Sequence, residues 1–286
     1  MSQTGAMGRA EEADEEVLYE VADGVALLTL HRPERHNAWT FTMEARYFAL
    51  LDVASADEDV RAIVVTGAGR SFCPGLDVQL LAEVAEAGTI TTEGRRPQTF
   101  PLGVPKPLIA AVNGACAGIG LLQALMCDVR FVAAGAKLTT AFARRGLMAE
   151  HGITWLLARL IGPERALDLL LSGRTFTAEE AHAMGLVSRV LPAEEVLPAA
   201  MAYARELAAS CSPLSMAVIK AQVQRDLEEP SLEAARRRAL ALMQRYVAHP
   251  DAREGVTSYV ERRPPRFAPL PTGFIAPVDE LDEDEV

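Results

Sequence analysis

The stretch AAVNGACAGIGLLQALMCD, residues 110–128, decides how the fold of this chain is interpreted. An apolar run ends at Asn113, three glycines follow within seven residues, and a helical pattern of apolar residues then begins. A strand that passes through glycines into a helix exposes backbone N–H groups, which can bind negative charge. The stretch therefore predicts an anion-binding turn for a phosphate, a dinucleotide or a charge that forms only during a reaction.

Three uses of this glycine turn compete. A phosphate-binding P-loop is excluded, because no Lys and no Ser or Thr stands at the required spacing. A dinucleotide-binding motif would begin at Gly118-x-Gly120, but Gln123 occupies the third glycine position, so only a lone Gly-x-Gly remains. A tight turn that only packs a helix closely against a strand would also need glycine.

A second loop of the same kind, GAGRSFCPGLDV at residues 67–78, favours a fourth use. It too follows an apolar strand and leads into a helix. Two such loops can each supply one N–H group to a single oxygen, and this arrangement is an oxyanion hole. The pair predicts a site that stabilises negative charge on a reacting oxygen.

The remaining pattern predicts an α/β body followed by helices. Apolar runs alternate with helical spacing up to residue 152, which is typical of parallel strands joined by helices. The hairpin of residues 17–30 should turn at Asp23-Gly24, and Thr40 should cap the helix of residues 40–57. Residues 88–103 show no period and are predicted to form a mobile loop. Beyond residue 152, helices are predicted at 153–161, 164–171, 178–184, 194–210, 213–226, 231–247 and 251–262, with one short strand near residues 187–190.

Charge and cysteine usage narrow the classes of partner. The 286 residues carry a net charge of −11, but residues 1–16 contribute −4 and residues 268–286 contribute −6. We predict that both acidic tails are disordered, and the nearly neutral body lacks the basic stripe that nucleic-acid binding needs.

The four cysteines form no CxxC pair and no metal-ligand spacing, so we expect reduced, buried thiols, no metal and a cytoplasmic location. With no signal peptide and no apolar run of 18 residues, no membrane association is expected.

The two glycine loops resemble those of the crotonase, or enoyl-CoA hydratase/isomerase, superfamily. Further matches follow in the same order: HRPERHNA at 31–38, GPERALDLLLSGRTFTAEEAHAMGLVSRV at 162–190 and DAREGVTSYVERRPPRF at 251–267. The resemblance implies a crotonase-like ββα spiral over residues 17–194. It also implies a helical region over residues 195–267 that builds homotrimers, commonly paired into hexamers.

The resemblance also implies the ligand, an acyl-CoA thioester, with no cofactor beyond the coenzyme A of the substrate. By motif position, the oxyanion-hole donors are the backbone N–H groups of Leu76 and Ile119, which would stabilise a transient enolate on the thioester oxygen. The family often has Gly at the position of Ile119, and a β-branched residue fits there only with a negative φ. Residues expected to contact coenzyme A are Arg35, His36, Ala38, Leu76, Asp77 and Val78.

The proton-transfer group departs from the usual family pattern. Two positions that hold glutamates in family hydratases hold Leu122 and Phe142 here, and both are expected to line the acyl pocket. Glu150, four residues after Gly146, matches the position where some isomerases of the superfamily carry a single catalytic carboxylate. His151 is next to it and is expected to pack or to lie at the surface.

One carboxylate suffices to move a proton from C2 to C4 of an enoyl group, so isomerisation through Glu150 is the favoured function. The alternatives are an enoyl-CoA hydratase of fatty-acid β-oxidation that uses Glu150 and water, or a hydrolase, dehalogenase or lyase of another acyl-CoA. A non-catalytic acyl-CoA-binding paralogue is the alternative outside enzymes.

Overall fold

The computed structural model describes residues 15–89 and 93–279, which form two β-sheets and ten α-helices. The strands are β1 (Val17–Ala22), β2 (Val25–Leu30), β3 (Ala62–Gly67), β4 (Ser71–Cys73), β5 (Leu108–Val112), β6 (Ala115–Ala117), β7 (Val129–Ala133), β8 (Lys137–Thr139), β9 (Phe176–Thr177) and β10 (Arg189–Leu191). The helices are α1 (Phe41–Ala56), α2 (Val78–Ala87), α3 (Ile119–Leu125), α4 (Ile153–Ile161), α5 (Pro163–Ser172), α6 (Ala178–Ala183), α7 (Ala193–Ser210), α8 (Pro213–Asp226), α9 (Leu232–Tyr246) and α10 (Pro250–Glu261). The predicted α/β class is confirmed.

The larger sheet has six strands in the order β1-β2-β3-β5-β7-β10. Strands β1 and β2 pair antiparallel around Asp23 and Gly24, whose positive φ angles of 54° and 76° suit a two-residue hairpin turn, as predicted. From β2 onward every pair is parallel, and all residues of β3 and β5 are buried. Both faces of such strands must be covered, which explains their continuous apolar runs.

Helix α1 begins at the predicted cap. The Thr40 hydroxyl accepts a hydrogen bond from the backbone N–H of Met43 at 2.9 Å. This bond satisfies one of the amide groups that a helix start leaves without a partner. The cap fixes the beginning of a helix whose inner face reaches the functional site.

The smaller sheet places the two glycine loops side by side. Its strand order is β4-β6-β8-β9, and β4 and β6 are parallel neighbours, so both of their loops leave at the same edge. Gly120 allows helix α3 to approach strand β4, because a Cβ atom at residue 120 would lie only 2.3 Å from the Cys73 carbonyl oxygen. The glycines therefore serve close packing as well as exposing backbone.

The C-terminal part differs from the predicted divisions. Helix α7 packs on β3, β5 and β7 and buries Val196 and Ala200 in the main core, so the boundary predicted at residue 194 falls inside a core helix. Residues 268–279 are not the disordered tail that we predicted, because Leu270 and Val278 are buried, the latter against α8 and α9. This stretch is rich in proline and has no apolar period, so a search for periodic burial misses it. The predicted disorder of residues 1–14 and 280–286 lies outside the described residues.

The segment 93–99 and the 3₁₀ helix Phe100–Gly103 follow helix α2. Side chains fasten this segment to helix α1 at two places. Arg95 bonds to Glu44, and Arg96 contacts Asp52 at 2.7 Å. Gln98 is also buried. The described part of the predicted loop 88–103 is therefore held by specific contacts.

Candidate active site

A cavity of about 140 Å³ opens where the two glycine loops meet. Both loops contribute to it, together with α1, the segment 93–99 and the turn before α4. Its lining residues are Trp39, Phe41, Glu44, Pro74, Gly75, Leu76, Leu81, Val84, Arg95, Gln98, Gly118, Ile119, Leu122, Thr140, Ala141, Phe142, Arg145, Leu147, Glu150 and His151. The predicted donors, the predicted acid and both predicted acyl-pocket residues thus lie around one cavity.

The first loop is held by backbone bonds on either side of Leu76. The N–H of Trp39 donates to the Gly75 carbonyl at 2.8 Å, and the N–H of Asp77 donates to the Trp39 carbonyl at 2.9 Å. Gly75 has φ 112°, a conformation that L side chains rarely adopt. Among the backbone hydrogen bonds of the described residues, none uses the N–H of Leu76, so this donor is available to a ligand.

Asp77 orders this loop. Its side chain caps helix α2 by accepting from the N–H of Gln79 at 3.0 Å, and it accepts from Arg32 at 3.1 Å. Partial burial would raise the pKa of Asp77, but these two hydrogen bonds and the nearby positive charge hold it below the ordinary value. The carboxylate therefore stays charged and fixed within the protein.

The second loop starts helix α3 without a side-chain cap. Gly118 occupies the N-cap position with φ 50° and ψ −121° and has no side chain to bind the first amides. Ile119 is the first helical residue and is not among the described residues with positive φ, so its β-branched side chain is accommodated. No backbone hydrogen bond of the described chain uses its N–H either.

Glu150 lies on the turn between Gly146 and helix α4. Its side chain is 45% exposed, and its Oε2 lies 3.4 Å from Nε2 of His151. Burial lowers the pKa of His151, while the carboxylates of Glu150 and Glu44 oppose that shift. The imidazole is therefore held toward its neutral form. Leu122 and Phe142 are both buried and add apolar surface to the cavity that Glu150 also lines.

A second carboxylate at the cavity, Glu44, was not predicted. It is 3% exposed and accepts hydrogen bonds from Trp39 Nε1 at 3.3 Å, from Arg95 Nε at 2.8 Å and Nη2 at 2.7 Å, and from Gln98 Nε2. A sequence signal exists, because Glu44 stands three residues before Tyr47 on the buried face of α1. A charged residue on an apolar helix face needs a partner.

The residues expected to contact coenzyme A are spread over a wider surface. Of the six, only Leu76 lines the cavity. Ala38 is buried, Val78 is 75% exposed, and Arg35 is exposed at the end of the 3₁₀ helix Pro33–Arg35. His36 is exposed, and its ring lies 3.3 Å from Arg70.

The cysteines are free thiols. Three are buried as expected, whereas Cys211 is partly exposed. Burial raises the pKa of Cys73, beside the first loop, to about 12, so its thiolate is not available as a nucleophile. Within residues 15–89 and 93–279, no group of His, Cys, Asp and Glu is placed to hold a metal ion, and no helix is long and apolar enough to cross a membrane.

Comparison with known proteins places the whole body of the chain in one family. Residues 20–269 match the family model described as enoyl-CoA hydratase/isomerase. The 1,2-epoxyphenylacetyl-CoA isomerase of Escherichia coli K12 is 35% identical over 268 residues, which cover 88% of this chain and 97% of that protein. A crystal structure of a probable enoyl-CoA hydratase/isomerase from Mycobacterium abscessus superposes with a TM-score of 0.83 at 33% identity, over 89% of this chain and 99% of that one. The enoyl-CoA hydratase EchA12_1 from Mycobacterium marinum is 51% identical, with a TM-score of 0.64 over 73% of this chain and 97% of its own.

Proposed function

The chain belongs to the enoyl-CoA hydratase/isomerase family, and from this membership we propose that it isomerises 3-enoyl-CoA to 2-enoyl-CoA thioesters. Glu150 removes a proton from C2, the double bond shifts through a thioester enolate, and the same carboxyl group returns the proton to C4. The atoms balance without water or any further cofactor. The observation that carries the proposal is that Glu150 and the two open backbone donors line one cavity.

The free carboxylate is what distinguishes Glu150 from Glu44. Glu44 is buried and accepts bonds from three different side chains, so its position is fixed and its charge is paired with Arg95. Among the described residues, the Glu150 carboxylate has an ion-pair contact with His151 only, and its side chain is 45% exposed. A general base must reach the proton that it removes, and geometry is the first criterion.

The enolate charge would be stabilised by the N–H groups of Leu76 and Ile119. Neither donor is used by the backbone, and both are held on loops that leave the same sheet edge. Donors that are fixed before the reaction need no reorganisation when the charge forms. Loss of one such donor costs roughly 3–4 kcal/mol of barrier.

Hydration is the second candidate, since relatives in this family are named enoyl-CoA hydratases. It would require Glu150 alone to activate a water molecule, because Leu122 and Phe142 stand where family hydratases hold their two glutamates. The relative named 1,2-epoxyphenylacetyl-CoA isomerase supports an isomerisation instead. A non-catalytic acyl-CoA-binding role would leave both kinds of substrate unchanged.

The test is turnover of 2-enoyl- and 3-enoyl-CoA panels by the parent chain and by Glu150→Gln. The amide keeps the shape but cannot accept the proton, so 3-enoyl-CoA turnover should fall by roughly 10²-fold or more while thioester binding is retained. Glu164→Gln, an exposed position at the start of α5, is the matched control and should be fully active. Full activity of Glu150→Gln, or hydration alone by the parent chain, would refute the mechanism.

We further propose assembly into a homotrimer or hexamer through the C-terminal helices, and a cytoplasmic location. Exposed apolar side chains on α9 and α10 support the assembly: Met243 is 59% exposed, Val256 67%, Tyr259 85% and Val260 73%. Contact with another protomer would remove these apolar side chains from water, which is favourable. Sedimentation of a stable monomer at micromolar concentration would contradict the assembly.

A further inference from the structure

Much of the cavity wall is apolar. Its apolar side chains include Phe41, Leu81, Val84, Leu122 and Phe142. Glu44, Arg95 and Gln98 interrupt this surface with a charged pair and an amide. An alkyl chain packed against those polar groups would exclude water from them without forming hydrogen bonds to them, which is unfavourable.

The attachment of the segment 93–99 to helix α1 does not by itself require a charged pair inside the cavity. Arg96 and Asp52 already join the same segment to α1 from outside, with side chains 47% and 50% exposed. A buried ion pair adds little to stability, because desolvation offsets the attraction between the charges. The placement of Glu44 and Arg95 at the cavity therefore favours a role in binding.

The hydrogen bonds of Glu44 are unevenly shared between its two oxygens. Oε2 accepts from Trp39, Arg95 and Gln98, whereas Oε1 accepts from Arg95 Nε alone among the described residues. A carboxylate oxygen can accept two hydrogen bonds, so Oε1 has capacity for a donor from the ligand. A hydroxyl group is the small neutral donor that fits beside a bound arginine.

We infer that Glu44 is a specificity-determining residue that selects acyl-CoA thioesters whose acyl chain carries a hydroxyl group at its far end. The inference rests on the proposed function only in placing an acyl chain in this cavity. The hydroxyl donates to Oε1 of Glu44, which a plain alkyl chain cannot do. A hydrogen bond to a charged group predicts a preference of roughly 10- to 100-fold over the unsubstituted chain of equal length.

The experiment compares kcat/KM for 3-enoyl-CoA thioesters with and without a terminal hydroxyl, in matched pairs of increasing chain length. The parent chain should prefer one hydroxylated member by at least tenfold. Glu44→Gln should lose most of that preference while still accepting the unsubstituted substrates. Asp52→Asn, which removes the exposed ion pair between Arg96 and helix α1, is the matched control and should keep the preference for the hydroxylated substrate.

Dissociation constants for the corresponding saturated acyl-CoA pairs, measured by calorimetry, separate this inference from the proposed reaction. A binding preference without isomerisation would leave the inference standing and refute the reaction. Equal affinity and equal turnover at every length in the parent chain would overturn the inference, even if Glu44→Gln failed to fold. An unchanged preference in Glu44→Gln, or a lost preference in Asp52→Asn, would also overturn it.

Discussion

Replacing Gly120 by alanine tests whether the close contact between helix α3 and strand β4 sets the geometry of the proposed oxyanion hole. A Cβ atom at residue 120 would lie 2.3 Å from the carbonyl oxygen of Cys73 and 2.6 Å from its Cβ. Ordinary van der Waals contacts begin near 3.4 Å, so helix α3 and strand β4 must separate by on the order of 1 Å. Overpacking of this kind costs roughly 1–3 kcal/mol of stability. It also moves Ile119 relative to Leu76, and a 1 Å misplacement can cost about 10²-fold in rate.

Turnover of the best enoyl-CoA substrate and the thermal unfolding midpoint are measured together for Gly120→Ala. We expect kcat to fall by about 10²-fold in protein that remains folded at the assay temperature. Gly103→Ala is the control, because a Cβ atom there meets nothing within 4 Å and the φ angle is ordinary. Its activity should be unchanged. A Gly120→Ala protein with parental kcat and parental midpoint would show that the contact is not rigid and that the geometry of the site does not depend on it.

Two further predictions concern titration. In an NMR titration, the pKa of His151 should lie below 6.5, because burial removes water from the imidazole. Glu150→Gln should lower this pKa further, because it removes a carboxylate that raises it. A higher pKa in the variant would contradict the assigned contact. Burial lowers the pKa of Lys106 to about 8 from 10.5, against the opposing charges of Asp57 and Glu58. The unfolded chain therefore binds more protons between about pH 8 and pH 10.5, and the free energy of unfolding from urea titrations should rise with pH across that window. Lys106→Met should show a smaller rise, and an equal rise would refute the assignment.

Much of the fold is predictable because its signals are local. The glycine loops, the Asp23-Gly24 turn and the Thr40 cap each depend on a few adjacent residues, and the structure confirms all three elements. Helix α8 begins and ends where the apolar spacing predicts, at residues 213 and 226. The two glycine loops alone predicted a site for negative charge on a reacting oxygen. Its donor residues and its acid were assigned by resemblance and remain predictions for the experiments above.

The features that the sequence analysis missed are contacts between residues that lie far apart in the chain. Glu44 meets Arg95 and Gln98 from more than fifty residues away, and no local pattern connects an acidic helix residue with an aperiodic loop. Leu270 and Val278 belong to a segment without helix or strand. Which of its side chains are buried depends on the surface it packs against and not on a periodic pattern. Predicting such contacts requires the fold first.

The two parts of the cavity are built on separate supports, and this separation affects how the enzyme can evolve. The proposed reacting end depends on the two loops that leave the small sheet, where side chains at Gly75, Gly118 and Gly120 would be strained or would clash. The proposed acyl end depends on side chains that join the segment 93–99 to helix α1. If the assignment holds, mutations there change which acyl groups are accepted while the two glycine loops keep their geometry. A lineage with this architecture can acquire new substrates by exchanging a few side chains, without rebuilding its chemistry.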